Sequence, residues 1–261
     1  MTEKNFIAIN GASYLNLDND QIFLGNAELS TSNENFILQS ETSEYYDYLI
    51  FMDSRGAKVE ENSISSIHLL RNYFEKMELS YLIVSRPLNL TTIATLLSFI
   101  ENTIIKFGSI ITNVGFVDTT PKKKDTLLDI HAQLVGAKIG SKYQSLGRFN
   151  LSNGIDEELG TYSITKSSIH NISQRFKKIR SKFYFINTPE VIITKSFKRQ
   201  RPKCFYSQIN KSNELIQKIS DKSRGHLIDI SQVGINTFDG VHFNNMDHII
   251  CHKIMLASLV I

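Results

Sequence analysis

The feature that most constrains this chain is an alternation. Short apolar, β-branched runs recur between longer segments whose apolar residues repeat at helical spacing. That is the pattern of βα units wound about a mainly parallel sheet. "NFIAIN" (Asn5 to Asn10) reads as the first strand, "DYLIFMD" (Asp47 to Asp53) as the second, and "LSYLIVS" (Leu79 to Ser85), stopped by Pro87, as the third. "SIITNVGFVD" (Ser109 to Asp118), "KFYFINTP" (Lys182 to Pro189) and "HLIDIS" (His226 to Ser231) complete the set. Between them, Ile64, Ile67, Leu70 and Phe74 share one helical face. "TTIATLLSFIENTIIKFG" (Thr91 to Gly108) has a Thr start and a Gly stop. Further helices are expected in "SSIHNISQRFKKIRS", "INKSNELIQKISDKS" and the terminal "NNMDHIICHKIMLASLVI".

From Pro121 to about Thr165 the rhythm breaks. A charged turn, a short apolar segment and a tract rich in Gly, Ser and Asn follow one another. This stretch, around residues 119–165, is too short to bury a core of its own, so it reads as an insertion or cap rather than a second domain. The expected architecture is α/β: one domain over residues 1–261, a three-layer α/β/α sandwich with a mainly parallel sheet of five or six strands.

Composition narrows what such a fold can do. A net charge of +3 is too small to call for a nucleic-acid partner. "RFKKIRSK" (Arg175 to Lys182) and "KSFKRQRPK" (Lys195 to Lys203) read as solvated surface, with an anionic ligand as the functional alternative. The start "MTEKNFIAING" lacks the apolar run of a signal peptide and no stretch has the length of a spanning helix, so a cytoplasmic chain without a membrane partner is expected. With only Cys204 and Cys251, a disulfide framework is absent. No glycine-rich dinucleotide or nucleoside-triphosphate loop occurs, and no cofactor is expected. Nothing in the sequence fixes an oligomeric state.

Ligands of an open parallel sheet collect beyond the carboxyl ends of its strands. Ser13, in "INGASY", follows the first expected strand in a Gly-containing turn that can present a hydroxyl to a pocket. Asp239 and His242, in "TFDGVH", follow the last one. A hydroxyl nucleophile needs a base at about 3 Å, and that base needs a carboxylate to hold its tautomer.

In the order of these elements and blocks the chain resembles the SGNH (GDSL-type) hydrolases, a family with a flavodoxin-like three-layer fold. The resemblance implies cleavage or transfer of acyl groups, often acetyl esters on carbohydrates; no metal is expected. The partner it implies is a small-molecule or carbohydrate acyl ester, with an acyl donor if the reaction is transfer. It makes Ser13 similar to the nucleophile, His242 to the general base and Asp239 to its orienting carboxylate. Ala12 stands where the family's Gly-Asp-Ser block has Asp. Gly56 and Asn113 resemble the oxyanion donors, Asn89 competing with Asn113 for its role.

Three other readings stay open. His248 and His252, four apart on the terminal helix, have the spacing of a zinc-binding pair. Asp53 and Asp118, each ending an expected strand, could be acid/base groups of a different transferase. The fold could also serve as a non-catalytic module that binds an anion.

Overall fold

A computed structural model describes residues 6–9, 13–16, 36–40, 43–56, 65–85, 90–150, 156–189, 203–235, 237 and 241–259. Its centre is a sheet of six strands. In chain order these are β3 (Phe36–Gln39), β4 (Tyr45–Met52), β5 (Tyr81–Ser85), β6 (Lys106–Thr112), β10 (Lys182–Ile186) and β11 (His226–Ile228). In space the order is β11-β10-β6-β4-β5-β3. All neighbours are parallel except the edge strand β3, which runs antiparallel to β5. The mainly parallel α/β architecture expected from the alternation is the one found.

Parallel strands carry helices on both faces, and their sequences must be apolar on both. Along β4, Leu49 and Phe51 enter one core while Tyr48, Ile50 and Met52 enter the other. The first core is closed by α2 (Ile93–Asn102), α5 (Lys166–Lys178) and α6 (Lys203–Ser223); the second by α1 (Ser66–Lys76) and α7 (Asn245–Ser258). On α1 it is Ile67, Leu70 and Phe74 that face inward, as the spacing requires, with the Phe74 ring stacked 4.3 Å from Tyr48. Burying a side chain of this size contributes roughly 1.5–3 kcal/mol. Helix starts are secured by side chains: Ser65 accepts from the His68 N–H, Thr92 from that of Thr95 and Asn244 from that of Asp247. Each such cap is worth about 1 kcal/mol.

Three expectations are corrected. The run Phe6–Ile9 is a strand, β1, but it pairs antiparallel with β2 (Ser13–Asn16) in a hairpin outside the six-stranded sheet. The helix expected to reach Gly108 stops at Asn102: Thr103 already has an extended backbone, and from Lys106 the chain belongs to β6. The strand expected to end at Asp118 stops at Thr112, and Phe116–Thr119 is a short helix, α3.

The described residues of the stretch that broke the rhythm form regular elements. These are β7 (Lys122–Lys123), α4 (Lys124–Gly136), β8 (Ser141–Asn150) and β9 (Asp156–Ile164). The three strands form a second sheet in the order β7-β9-β8. Ile130 and Leu134 of α4 join the same core cluster as Leu49 and Phe51. No helix among the described residues is long and apolar enough to cross a membrane.

Candidate active site

In chain order the five parallel strands are β4, β5, β6, β10 and β11, so the spatial order of the sheet is 2-1-3-4-5. Winding reverses between β4 and β6, and the crevice beyond the carboxyl ends of those two strands is where a doubly wound sheet places its ligand. The residues there are Asp53-Ser54-Arg55-Gly56 and Asn113.

After Met52 the chain turns at once. The Gly56 N–H donates to the Asp53 carbonyl at 3.1 Å, which makes Ser54 and Arg55 the central residues of a tight turn. The Asp53 carboxylate accepts the Arg55 N–H at 2.9 Å, adding the local bond by which Asp stabilises turns. The loop before α7 approaches the same place, bridged between Thr237 and Phe243. Between them, Ser54 Oγ and His242 Nε2 lie 3.0 Å apart, both side chains half-buried.

Behind Ser54 is a buried charged network. Arg55 donates from Nε to both Asp53 oxygens, at 3.1 and 2.9 Å, from Nη1 to Thr188 Oγ1 at 2.6 Å and from Nη2 to the Asn113 carbonyl at 2.5 Å. Its guanidinium also lies 4.3 Å from the centre of the Phe116 ring. The Asn113 amide donates to Asp53 Oδ1 at 2.9 Å, and its oxygen accepts the Asp53 N–H at 2.8 Å. Removing two charges from water is tolerable only when hydrogen bonds satisfy both, as they are here.

The residues singled out in the sequence are not all brought together. Ser13 is in β2 and so does not follow the first strand of the sheet; the hydroxyl that meets His242 is that of Ser54. Gly56 is not free to bind an oxyanion, because its N–H closes the turn. Asn113 is not free either, since its amide is held by Asp53. Asp239 and Asn89 lie outside the described residues.

Of the other candidates, Asp53 is the partner of Arg55 and Asn113. Asp118 accepts the N–H groups of Ile93 and Gly115, tying the start of α2 to the loop after β6; burial pushes its carboxyl up to about 7 against those donors. Of the pair His248 and His252, His248 is engaged by α1. His248 Nδ1 accepts from the backbone N–H of Ser66 at 3.1 Å and from its hydroxyl at 2.9 Å, so its proton is on Nε2. Burial, with His242 and His68 nearby, pushes it down to about 4. Among the described residues no three His, Cys, Asp or Glu side chains gather to hold a metal ion. Burial pushes the Cys251 thiol up to about 12, which leaves it no thiolate at neutral pH.

The sequence did carry a signal for Ser54. "DYLIFMDSRG" places an Asp-Ser pair directly after an apolar strand, the very pair that "GAS" lacks.

No family model matches the chain and no curated protein matches it. Among solved structures it is similar to an acetyl xylan esterase, at 16% identity and a TM-score of 0.46, over 82% of this chain and 99% of the other. It is also similar to a catalytic mutant of an acetylxylan esterase from Geobacillus stearothermophilus, at 9% identity and a TM-score of 0.46, over 81% of this chain and 93% of the other. Likenesses this remote leave the site to be read from its own geometry.

Proposed function

We propose that the chain is a serine-dependent esterase in which Ser54 is the nucleophile and His242 its general base. The observation that carries this is the 3.0 Å contact of a turn serine with an imidazole at the point where the sheet's winding reverses. His242 Nε2 takes the Ser54 proton as Oγ bonds to the ester carbonyl carbon, and the carbonyl electron pair moves to its oxygen. The tetrahedral species collapses by breaking the bond to the alcohol oxygen, which leaves with the proton from His242. Water, activated by the same imidazole, then attacks the acyl-serine and releases the acid. An alcohol in place of that water makes the reaction a transfer.

With Gly56 and Asn113 engaged elsewhere, the Ser54 N–H is assigned to the developing oxyanion. Asp239, three residues before His242, is assigned the role of holding the imidazole with its Nδ1 protonated. The substrate proposed is a small or carbohydrate-type acyl ester, as the resemblance to the SGNH hydrolases implies.

The test is hydrolysis of p-nitrophenyl acetate by the wild type, Ser54→Ala and Ser13→Ala. Loss of a triad serine costs on the order of 10⁶-fold in kcat, so Ser54→Ala should fall to background while Ser13→Ala keeps the wild-type rate. A Ser54→Ala enzyme as fast as the wild type would remove the mechanism.

A further inference from the structure

We infer that Arg55 is a positioning residue for the Ser54–His242 pair: its buried guanidinium sets the distance between the nucleophile turn and the loop that carries the base. The inference rests on the reading of Ser54 as nucleophile and adds a role for the residue beside it.

Arg55 fills the second central position of the turn whose first is Ser54. From there its planar fork reaches the ends of three strands: Asp53 after β4, the Asn113 carbonyl after β6 and the Thr188 hydroxyl after β10. The β10 end is tied onward, since Asn187 accepts the Ile230 N–H at 2.8 Å and donates to Asp229 at 2.6 Å beyond β11. A second route runs through Phe116, beside the guanidinium, which packs in one cluster with Phe205, Ile209 and Val241, the residue before His242. Arg55 therefore bonds the serine side of the 3.0 Å contact directly and reaches the histidine side through Phe116.

A surface arginine with these bonds would be screened and worth little. This one is 3% exposed, and its partner Asp53 is also 3% exposed. The geometry also specifies the residue type. A lysine offers one compact ammonium and cannot reach a carboxylate, a carbonyl and a hydroxyl lying in different directions from a rigid plane. If Arg55 served only to hold the fold, its replacement would lower stability and leave the folded enzyme's turnover alone. If it sets the geometry of the pair, turnover falls in protein that is still folded, because misplacement by about 1 Å can cost on the order of 10²-fold.

The experiment compares wild type, Arg55→Lys and Thr188→Val. The readouts are kcat and KM for p-nitrophenyl acetate, the rate of fluorophosphonate labelling of Ser54, and the folded fraction by denaturant titration. Arg55→Lys should lower kcat and the labelling rate together by about 10²-fold, with KM within about threefold. Thr188→Val, which removes a single contact and folds even if Arg55→Lys does not, should lower both by about threefold to tenfold. Folded variants with wild-type kcat and labelling rate would overturn the inference, as would losses that match the unfolded fraction. A Ser54→Ala control that stays active marks the failure of the esterase reading instead.

Discussion

Ser54 and His242 are separated by 188 positions in the chain and meet at 3.0 Å. Nothing local brings them together. Ser54 is carried by the turn that ends β4, and His242 by the loop between β11 and α7, at the far side of the same row of strand ends. The parallel sheet and the bonds joining its carboxyl ends set that separation.

If His242 must accept the Ser54 proton at Nε2, the other ring nitrogen has to hold a proton, and an acid must hold it there. Asp239→Asn should lower kcat on p-nitrophenyl acetate by on the order of 10⁴-fold, as the wrong tautomer does in a serine triad. Chemical denaturation should give the same midpoint as the wild type.

Asn113 offers a choice between two roles. Bonded to Asp53 through both amide atoms, it should contribute to stability, and Asn113→Ala should cost about 1–3 kcal/mol by leaving a buried carboxylate short of a donor. An oxyanion donor behaves the other way, with stability unchanged and kcat down by about 10² to 10³-fold. Denaturant titration and steady-state kinetics on the one variant separate the two.

His248 makes the fold acid-sensitive. Folded, it stays neutral down to about pH 4, because burial and the lone-pair bonds from Ser66 oppose its protonation; unfolded, it protonates near its ordinary value of 6.5. The unfolded chain thus binds more protons between those values, so the stability His248 contributes is present above pH 6.5 and is lost as pH falls towards 4. The difference amounts to about 3 kcal/mol. His248→Asn keeps an acceptor facing Ser66 and removes the titration. It should lose less stability than the wild type between pH 7 and pH 4.5, measured by urea denaturation at each pH.

Most of the sheet was legible because parallel strands buried on both faces are written as unbroken apolar runs. "YLIFM", "YLIV" and "FYFI" are such runs, short and bounded by polar residues. The helices were legible from their spacing and caps, Thr92 and Phe74 among them. What the runs do not encode is pairing. "FIAI" has the composition of a core strand, yet it closes a hairpin with Ser13–Asn16, so counting it as the first strand of the sheet drew attention to Ser13 rather than to Ser54, the serine that meets His242. His242 was legible as an imidazole in a loop after the last strand. The Arg55 network was not, since Asp53, Asn113 and Thr188 become neighbours only when three strand ends align. Neither was the engagement of Gly56 and Asn113, for a sequence shows donors but not the acceptors that will take them.

The most direct test of the central claim is to label the full-length chain with a fluorophosphonate and map the modified peptide. A hydroxyl activated by His242 gives its proton to the imidazole, bonds to the phosphorus and displaces fluoride, and the serine keeps the phosphonyl adduct. The adduct should fall on Ser54 and disappear in His242→Ala. An adduct on Ser13, or labelling of Ser54 that survives the loss of His242, would contradict the account.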